Sequence, residues 1–372
     1  MSGTPTPLAS ALAARIAADG PLTVADFMAE CLFHPRHGYY STREPFGRAG
    51  DFVTAPEISQ MFGELLGLWA ADAWMRLGAP SPFVFAELGP GRGTLMADAL
   101  RAARVVPGFL DAARLVLVEA SPRLRDVQRA ALAGHRIEWA DRVEDLPAGP
   151  LILLANEFID ALPVRQFVRT PEGIAERMVG LDAEGALAFG LRPGARLDAA
   201  DEHRLLATPA GALLEICPLG RSVAAHVGAR LPRDGGAALF VDYGHAGGFG
   251  DTLQALRAHA YDDPLAHPGE ADLTAHVDFA ALAAAARANG GRAFGPVGQG
   301  ELLGRLGLEA RAGRLKRDAS PEAAAAIDAA ALRLAGTHEQ GMGTLFKALA
   351  LVHPHLGAPA GFAPEDEFGG SA

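Results

Sequence analysis

The stretch that decides the fold is FVFAELGPGRGT, residues 83–94. Its first half alternates large and small apolar residues and reaches an acid, Glu87, as a buried strand does near its carboxyl end. Three glycines, Gly89, Gly91 and Gly93, then stand at every second position. Glycines let the backbone turn sharply and let a ligand lie against it, and the helix that follows presents its N-terminal N–H groups there. The pattern predicts a strand, a ligand-binding loop and a helix.

The composition is that of an ordinary folded chain. With 372 residues, 49% of them hydrophobic and 21% charged, it suits one large α/β domain with insertions or two modest domains. The net charge of −11 argues against a non-specific nucleic-acid surface or an anionic membrane surface, since both bind basic faces. No apolar run approaches the roughly 18 residues of a membrane span. We therefore expect no nucleic-acid partner and no membrane insertion.

The cysteine content and the first residues indicate a reducing compartment. Cys31 and Cys217 are the only cysteines, too few for a disulfide framework or a cysteine-rich zinc site, and we predict no metal site. Residues 1–20 contain one basic residue, Arg15, and an acid, Asp19, which is not the pattern of a signal or transit peptide. The sequence therefore predicts a cytoplasmic location.

Further apolar strands follow the glycine loop, and polar residues stand at their carboxyl ends. These strands are predicted at 115–118, 136–139, 151–155 and 237–241. The residues after them are Glu119, Asp141, Asn156 and the pair Asp242 and Tyr243. Strands that alternate with helices predict a parallel, doubly wound sheet, whose carboxyl ends meet at one edge. The sequence thus predicts an α/β fold with polar groups gathered at that edge.

Changes in this rhythm divide the chain into five predicted segments. They are an N-terminal helical segment (1–80), the first part of a Rossmann-like domain (81–163), an inserted antiparallel β region (164–215), the second part of the domain (216–356) and a flexible tail (357–372). Short alternating pieces broken by Pro and Gly predict the β insertion. We expect the insertion to face the substrate or partner.

A long helix is predicted just before the first strand, from Pro56 to about Gly78. Thr54 is suited to cap it, and Glu57 stands at the reciprocal position of a capping box. The preceding loop is glycine-rich and contains Asp51. Asp51 and Thr54 are therefore candidates for a lid over a bound ligand, although capping alone explains Thr54.

Two kinds of cofactor compete for the glycine loop. A nicotinamide or flavin site uses Gly-x-Gly-x-x-Gly, whereas here the third glycine comes one residue earlier and Thr94 follows it. An acid just before the glycines is also absent from that fingerprint. Both features resemble motif I of class I S-adenosylmethionine-dependent methyltransferases, acid-x-Gly-x-Gly-x-Gly. A structural turn that binds nothing is the remaining interpretation.

Longer motifs carry the resemblance nearly end to end. They are GDFVTAPEISQMFGE (50–64), ELGPGRGTLM (87–96), NEFIDALP (156–163), DYGH (242–245) and MGTLFK (342–347). They are similar to the MidA-type methyltransferase family, whose mitochondrial member is a protein-arginine methyltransferase needed for respiratory complex I assembly. The resemblance implies a class I methyltransferase fold, S-adenosylmethionine as cofactor, and a protein substrate such as a complex I subunit.

The resemblance also implies roles for particular residues in holding the cofactor. The loop would hold the methionine and ribose portion of S-adenosylmethionine, Glu119 both ribose hydroxyls, and Asp141 the adenine. Asn156 and Thr54 are expected to touch the cofactor as well. The loop residues concerned are Glu87, Gly89, Pro90, Gly91 and Gly93.

Methyl transfer to arginine makes definite demands on the acceptor side. An arginine guanidinium has a pKa above about 12, so it arrives charged and donor-only. Carboxylates should orient it and take up a proton as the bond forms. Glu157 and Asp160, after the fourth strand, are the predicted catalytic pair, and the alternative is that they simply cap a helix. Asp51, Asp242 and Tyr243 are expected to contact the substrate.

Three functions stay open at this point. The first is methylation of a protein arginine, the second is methylation of a small metabolite, and the third is an assembly chaperone that binds its partner without catalysis. Whether the chain forms a homodimer is also left open.

Overall fold

The computed structural model describes residues 5–42 and 54–369. Its α-helices are α1 (Pro7–Asp19), α2 (Val24–Phe33), α3 (Tyr39–Thr42), α4 (Ala55–Ile58), α5 (Gln60–Arg76), α6 (Thr94–Ala103), α7 (Phe109–Ala112), α8 (Pro122–Ala131), α9 (Ala199–Leu206), α10 (Pro218–Asp234), α11 (Phe279–Ala288), α12 (Gln299–Arg305), α13 (Leu308–Lys316) and α14 (Pro321–Ala335). Its strands are β1 (Leu22–Thr23), β2 (Phe83–Leu88), β3 (Ala113–Val118), β4 (Ile137–Ala140), β5 (Leu151–Asn156), β6 (Arg165–Thr170), β7 (Gly173–Leu181), β8 (Leu187–Pro193), β9 (Leu213–Ile216), β10 (Gly236–His245), β11 (Gln254–Arg257), β12 (Ala260–Asp262), β13 (Asp272–Thr274), β14 (Val277–Asp278), β15 (Arg292–Gly298) and β16 (Phe346–Val352). The chain divides into two compact units.

The larger unit comprises residues 53–158, 221–246 and 279–372 and contains the main sheet. Its strand order is β15-β16-β10-β5-β2-β3-β4. The strands from β10 to β4 run parallel, and β16 runs antiparallel to both of its neighbours. β2 and β5 are buried along their whole length, which explains their continuous apolar sequences. The predicted doubly wound sheet is confirmed.

The topology of this sheet decides where a ligand can bind. From β2 the chain moves outward to β3 and β4, then returns to the other side of β2 to form β5 and β10. Ligands of open α/β sheets bind beyond the carboxyl ends of the strands where the order reverses. Here that point lies between β2 and β5, so the loops after these two strands are the candidate site.

The long helix predicted before β2 is two helices, so that prediction was wrong. Ser59 separates α4 from α5 with an extended backbone, φ −161° and ψ 139°. Its side chain accepts a hydrogen bond from the Met61 N–H (3.2 Å) and so caps α5. Serine readily accepts backbone N–H bonds in non-helical conformations, and this competes with helix continuation.

The smaller unit comprises residues 1–52, 159–220 and 247–278. It contains an antiparallel sheet with the order β1-β7-β6-β9, where β8 pairs with β7, and a three-stranded sheet with the order β12-β11-β13. Glu176 on β7 is buried and bonds Arg165 on β6 (2.8 Å) and Arg192 on β8 (2.6 Å). These ion pairs tie three adjacent strands together. The boundaries of the five predicted segments stay a prediction.

Close backbone packing of α5 on α6 generates a stability prediction. A Cβ on Gly67 would lie 2.5 Å from the Cα of Ala99 on α6, a distance that real Cβ atoms do not show. We expect Gly67→Ala to lower the free energy of unfolding by about 2 kcal/mol or more, because backbone must move to make room. Urea denaturation followed by circular dichroism measures the change.

Gly313 on α13 is the matched control, since a Cβ there meets no described heavy atom within 4 Å. Gly313→Ala should raise stability by about 0.5–1 kcal/mol, because alanine loses less backbone entropy in a helix. Equal effects of the two substitutions would contradict the packing argument.

Candidate active site

The glycine loop after β2 has the backbone geometry that its sequence requires. Gly89, Gly91 and Gly93 have φ values of +59°, +52° and +82°, in the left-handed region that favours glycine. The Gly89 N–H donates to the Val118 carbonyl (3.1 Å), which extends the pairing of β2 with β3. The Gly93 N–H donates to the Pro90 carbonyl (2.7 Å) and closes the turn. Gly93 is then the N-cap of α6.

Phe158 brings the loop after β5 against the glycine loop. A Cβ on Gly89 would lie 2.8 Å from Cδ2 of the Phe158 ring. Only the absence of a side chain at Gly89 lets the ring pack there. The cofactor-side loop and the proposed acceptor-side loop are therefore in direct contact.

Glu87 is a buried acid at the base of the glycine loop. Its side chain is 3% exposed, and its carboxylate accepts a hydrogen bond from the Met96 N–H in the first turn of α6. Burial raises the pKa of Glu87 to about 8, and this hydrogen bond partly opposes the rise. Its Oε2 atom has no hydrogen-bond partner among the described residues. A buried carboxyl oxygen without a partner suits a hydroxyl-bearing ligand, or a cationic ligand whose charge favours ionisation of the group.

Glu119, at the end of β3, has both carboxylate oxygens held. The Ser121 N–H donates to Oε1 (2.8 Å) and the Gln128 amide to Oε2 (3.2 Å). Burial raises its pKa, and these two hydrogen bonds oppose the rise by favouring the ionised form. Glu119 is therefore held in one orientation beside the glycine loop.

Gln128 on α8 is a residue that the sequence reading missed. It is fully buried, and its amide also donates to the Gly91 carbonyl (2.8 Å) while its Oε1 accepts from the Trp139 indole N–H (2.8 Å). A sequence signal for it exists. Gln128 stands at helical spacing between the buried residues Leu124 and Leu132, so a polar residue interrupts an apolar stripe.

Asp141 lies at the exposed rim of the larger unit. Its side chain is 73% exposed and pairs with Arg125 (2.6 Å), which also donates to the backbone carbonyl of Glu119. Asp141 is thus linked to Glu119 through one arginine, and its predicted contact with the adenine stays a prediction.

The loop after β5 places Asn156 and Glu157 together. The Asn156 amide and the Ala55 N–H both donate to Glu157 Oε1, each at 3.1 Å. Asn156 Oδ1 is buried without a hydrogen-bond partner in the described part of the chain. Glu157 has φ +49°, a strained conformation for a residue with a side chain. The alternative role of Glu157 as a helix cap is present too, since Ala55 is the first residue of α4.

Asp242, at the end of β10, organises its neighbours. It is 1% exposed, and its carboxylate accepts from the backbone N–H of Phe158 (3.2 Å) and of Tyr243 (3.0 Å). The Tyr243 ring packs edge-on against Phe346, with centroids 5.3 Å apart. Asp242 thus holds the loop that carries Phe158.

The capping box predicted at Thr54 is not formed. Thr54 is the N-cap of α4, but its side chain makes no capping hydrogen bond to that described helix. Glu57 instead accepts from the Thr94 hydroxyl (2.7 Å) and lies 3.8 Å from Arg92. The Glu57 carboxylate therefore joins α4 to the first residue of α6.

Asp160 belongs to the smaller unit. Asp160 is buried there. Burial raises the pKa of Tyr40, and the negative charges of Asp272 and Asp160 raise it further. The Tyr40 hydroxyl donates to Asp272 (3.1 Å). Asp51 lies outside the described residues. The catalytic pairing of Asp160 with Glu157 stays a prediction.

The residues of the larger unit fit a methyl-donor cofactor. Glu87 has a buried acceptor for a cationic or hydroxyl group, Glu119 has an oriented carboxylate, and the left-handed glycines present bare backbone. These are the groups that would hold S-adenosylmethionine. Among residues 5–42 and 54–369, no three His, Cys, Asp or Glu side chains come together as a metal site.

Comparison with known proteins gives a family match over more than half of the chain. A sequence model described as an S-adenosyl-L-methionine-dependent methyltransferase family matches residues 65–297. The protein arginine methyltransferase NDUFAF7, mitochondrial, of Danio rerio is 39% identical, covering 81% of this chain and 76% of its own. The homologue of the same name in Drosophila melanogaster is 38% identical, and the alignment covers 92% of this chain and 84% of the homologue.

A solved structure extends the likeness to three dimensions. It comes from Burkholderia thailandensis, is described as a candidate methyl transferase bound to S-adenosyl-homocysteine, and is 29% identical to this chain. The alignment covers 99% of both chains with a TM-score of 0.82. The likeness supports the class I methyltransferase fold expected from the motifs.

The comparison corrects the predicted location. The cytoplasmic prediction is wrong, because the relatives from Danio rerio, Drosophila melanogaster and Rattus norvegicus are all named as mitochondrial proteins. The prediction rested on cysteine content, which does not distinguish one reducing compartment from another, and on the charges of residues 1–20. No helix in the described part of the chain is long and apolar enough to cross a membrane.

Glu87 generates a pH-dependence prediction. Its pKa is about 8 in the folded protein and 4.5 without the fold, so between these values the folded state keeps a proton that the unfolded chain has released. The free energy of unfolding therefore falls as pH rises through this window. Glu87→Gln cannot ionise, so we expect the variant to gain stability relative to the parent between about pH 5 and about pH 8. Urea denaturation of the ligand-free protein across this range measures it.

Glu138→Gln is the control. Arg114 lowers the pKa of Glu138, so that carboxylate stays ionised throughout the same range. Its removal should shift the stability curve without changing its slope. A Glu87→Gln curve parallel to that of the parent would contradict the assignment of a raised pKa.

Proposed function

Because the chain belongs to the S-adenosyl-L-methionine-dependent methyltransferase family, we propose that it methylates an arginine of a protein, such as a respiratory complex I subunit. Membership confirms the predicted cofactor and the enzyme class. The relatives named as protein arginine methyltransferases support the choice of arginine. The alignment with this chain covers about three quarters of the length of each of these relatives.

The chemistry divides between cofactor and protein. When bound, S-adenosylmethionine supplies a methyl group on a positively charged sulfur. The protein must hold that group in line with the acceptor nitrogen and keep water out. Glu87, Glu119 and the backbone of the glycine loop are the residues proposed to hold it.

The strained backbone of Glu157 is the observation that carries the acceptor side. A non-glycine residue with φ +49° costs about 1 kcal/mol or more, and such strain persists where the surrounding structure imposes it. Two hydrogen bonds, from Asn156 and Ala55, hold the carboxylate in place. Its neighbour Phe158 packs on the glycine loop. This strain supports a chemical role for the Glu157 carboxylate in methyl transfer.

A carboxylate here suits a guanidinium better than a neutral acceptor. The charged guanidinium donates from planar N–H groups that a carboxylate can bind with two parallel hydrogen bonds. Glu157 would orient one nitrogen toward the methyl group and take up the proton that this nitrogen loses. Asp160 is proposed as the second carboxylate, with Asp51, Asp242 and Tyr243 near the acceptor and Asn156 and Thr54 near the cofactor.

The charge distribution supports a protein acceptor. The smaller unit has 20 acidic and 11 basic residues, a net charge of −9, whereas the larger unit has 24 and 22, a net charge of −2. Nearly all of the chain's excess negative charge therefore belongs to the unit without the glycine loop. Such a charge attracts a basic, arginine-bearing segment over long range and raises its rate of association.

Glu157→Gln tests the acceptor side. The substitution keeps the shape and an acceptor oxygen but removes the negative charge, so the guanidinium loses its ion pair and its base. We expect methyl transfer to purified candidate subunits to fall by about a hundredfold or more. The Kd for S-adenosylmethionine, from calorimetry, should change less than about threefold. Incorporation of labelled methyl groups, mapped by mass spectrometry, measures the transfer.

Glu157→Gly is the second variant and separates strain from function. Glycine adopts φ +49° without strain, which offsets the loss of two hydrogen bonds, so stability should stay within about 1 kcal/mol of the parent. Activity should nevertheless be lost. A fully active Glu157→Gly enzyme would refute a chemical role for the carboxylate.

The same assays distinguish the other two functions. Labelling of a metabolite extract with no labelled protein would identify a small-molecule methyltransferase. If the Glu157→Gln variant restores complex assembly in cells as well as the parent protein does, the function is that of a chaperone. Light scattering of the purified chain tests the homodimer.

A further inference from the structure

Gln128 joins two walls of the cofactor pocket that lie far apart in sequence. Its amide reaches the Gly91 carbonyl in the glycine loop and the Glu119 carboxylate at the end of β3. We propose that Gln128 is a positioning residue of the pocket, fixing the glycine loop and the ribose-binding acid in one mutual arrangement. The proposal rests on the family's cofactor and does not depend on which acceptor is methylated.

The hydrogen bonds determine the orientation of the Gln128 amide. Indole nitrogen is only a donor, so Trp139 must face Oε1 of the amide (2.8 Å). The NH₂ group must then face the two acceptors, the Gly91 carbonyl at 2.8 Å and Glu119 Oε2 at 3.2 Å. Turning the amide over would place donor against donor and acceptor against acceptor. Trp139 therefore fixes the orientation of the Gln128 amide, with its NH₂ group toward Gly91 and Glu119.

Each partner of Gln128 depends on this bond for its own orientation. Glu119 is held through Oε1 by the Ser121 N–H and through Oε2 by Gln128, so the carboxylate cannot rotate without losing a hydrogen bond. Gly91 is left-handed, with φ +52°, and has no side chain to limit its motion. The amide ties the carbonyl of this otherwise permissive residue to the rigid end of β3.

Packing alone does not explain a glutamine at this position. Leu124 and Leu132 lie one turn before and after it on the same buried face of the chain. An apolar residue would continue that stripe, while a buried amide is costly unless all of its groups are bonded. All three hydrogen bonds of Gln128 go to the pocket or to the indole that orients it.

Gln128→Met provides the test, because methionine has similar length and no donor. We expect the Kd for S-adenosylhomocysteine, measured by calorimetry without any acceptor, to rise by about tenfold or more. Trp139→Phe removes the orienting donor and keeps an aromatic ring, and it should raise this Kd by about three- to fivefold. It also keeps the proposal testable if Gln128→Met fails to fold.

Gln299→Met is the matched control. Gln299 is equally buried in the larger unit, but its amide donates to the Leu334 carbonyl (2.8 Å), away from the pocket. The Gln299→Met substitution should lower the melting temperature while leaving the Kd for S-adenosylhomocysteine unchanged. If Gln128→Met behaves in the same way, with lost stability and unchanged affinity, its role is purely structural and the proposal fails.

A double-mutant cycle with Glu119→Gln measures the coupling between Gln128 and Glu119 in the Kd for S-adenosylhomocysteine. A purely structural role of Gln128 would give no such coupling. If Gln128 acts through Glu119, the combined variant should lose clearly less affinity than the product of the two single losses. Multiplicative losses would show that the residues act independently and would overturn the proposal. Either result leaves the choice of arginine as acceptor untouched.

Discussion

The close approach of Gly89 to the Phe158 ring is the constraint on which the rest of the site depends. A Cβ at Gly89 would lie 2.8 Å from the ring, so no other residue type fits without movement. The contact joins the loop after β2 to the loop after β5, at the point where the strand order of the sheet reverses. Asp242 holds the backbone N–H of Phe158, so a third parallel strand is drawn into the same arrangement.

Buried polar groups hold the loops around that contact, and each of them does so by hydrogen bonds between different elements. Glu87, Asp242 and Gln128 are almost wholly buried, and each bonds backbone or side-chain groups from a different element. A buried polar group is costly unless bonded, so each such group specifies one arrangement of the loops it joins. The candidate cofactor site is therefore built by polar groups between strands, while α5 and α6 contribute apolar side chains to the core of the larger unit.

The strand-end residues show how far sequence patterns can predict this site. The strand pattern predicts Glu87, Glu119 and Asn156 at one edge of the sheet, because parallel strands bring their carboxyl ends together there, and the structure has these strands parallel. Ser59 shows where patterns stop. An apolar stripe continued across it, and the side chain nevertheless ended one helix and capped the next. Local hydrogen bonds of serine compete with the helix on nearly equal terms, so periodicity does not decide between them.

By itself, the sequence determined the doubly wound sheet, the glycine loop, the cofactor class and the acids at the strand ends. The sheet, the loop and the acids follow from local periodicity and glycine spacing, and the cofactor class follows from motifs that resemble those of a known family. Only the tertiary structure decided which partner each polar group takes: Glu57 bonds Thr94, and Gln128 bonds Gly91 and Glu119. Such pairings join residues up to 37 positions apart. Whether each hydrogen bond forms depends on differences in distance of a few tenths of an ångström, which no sequence pattern contains.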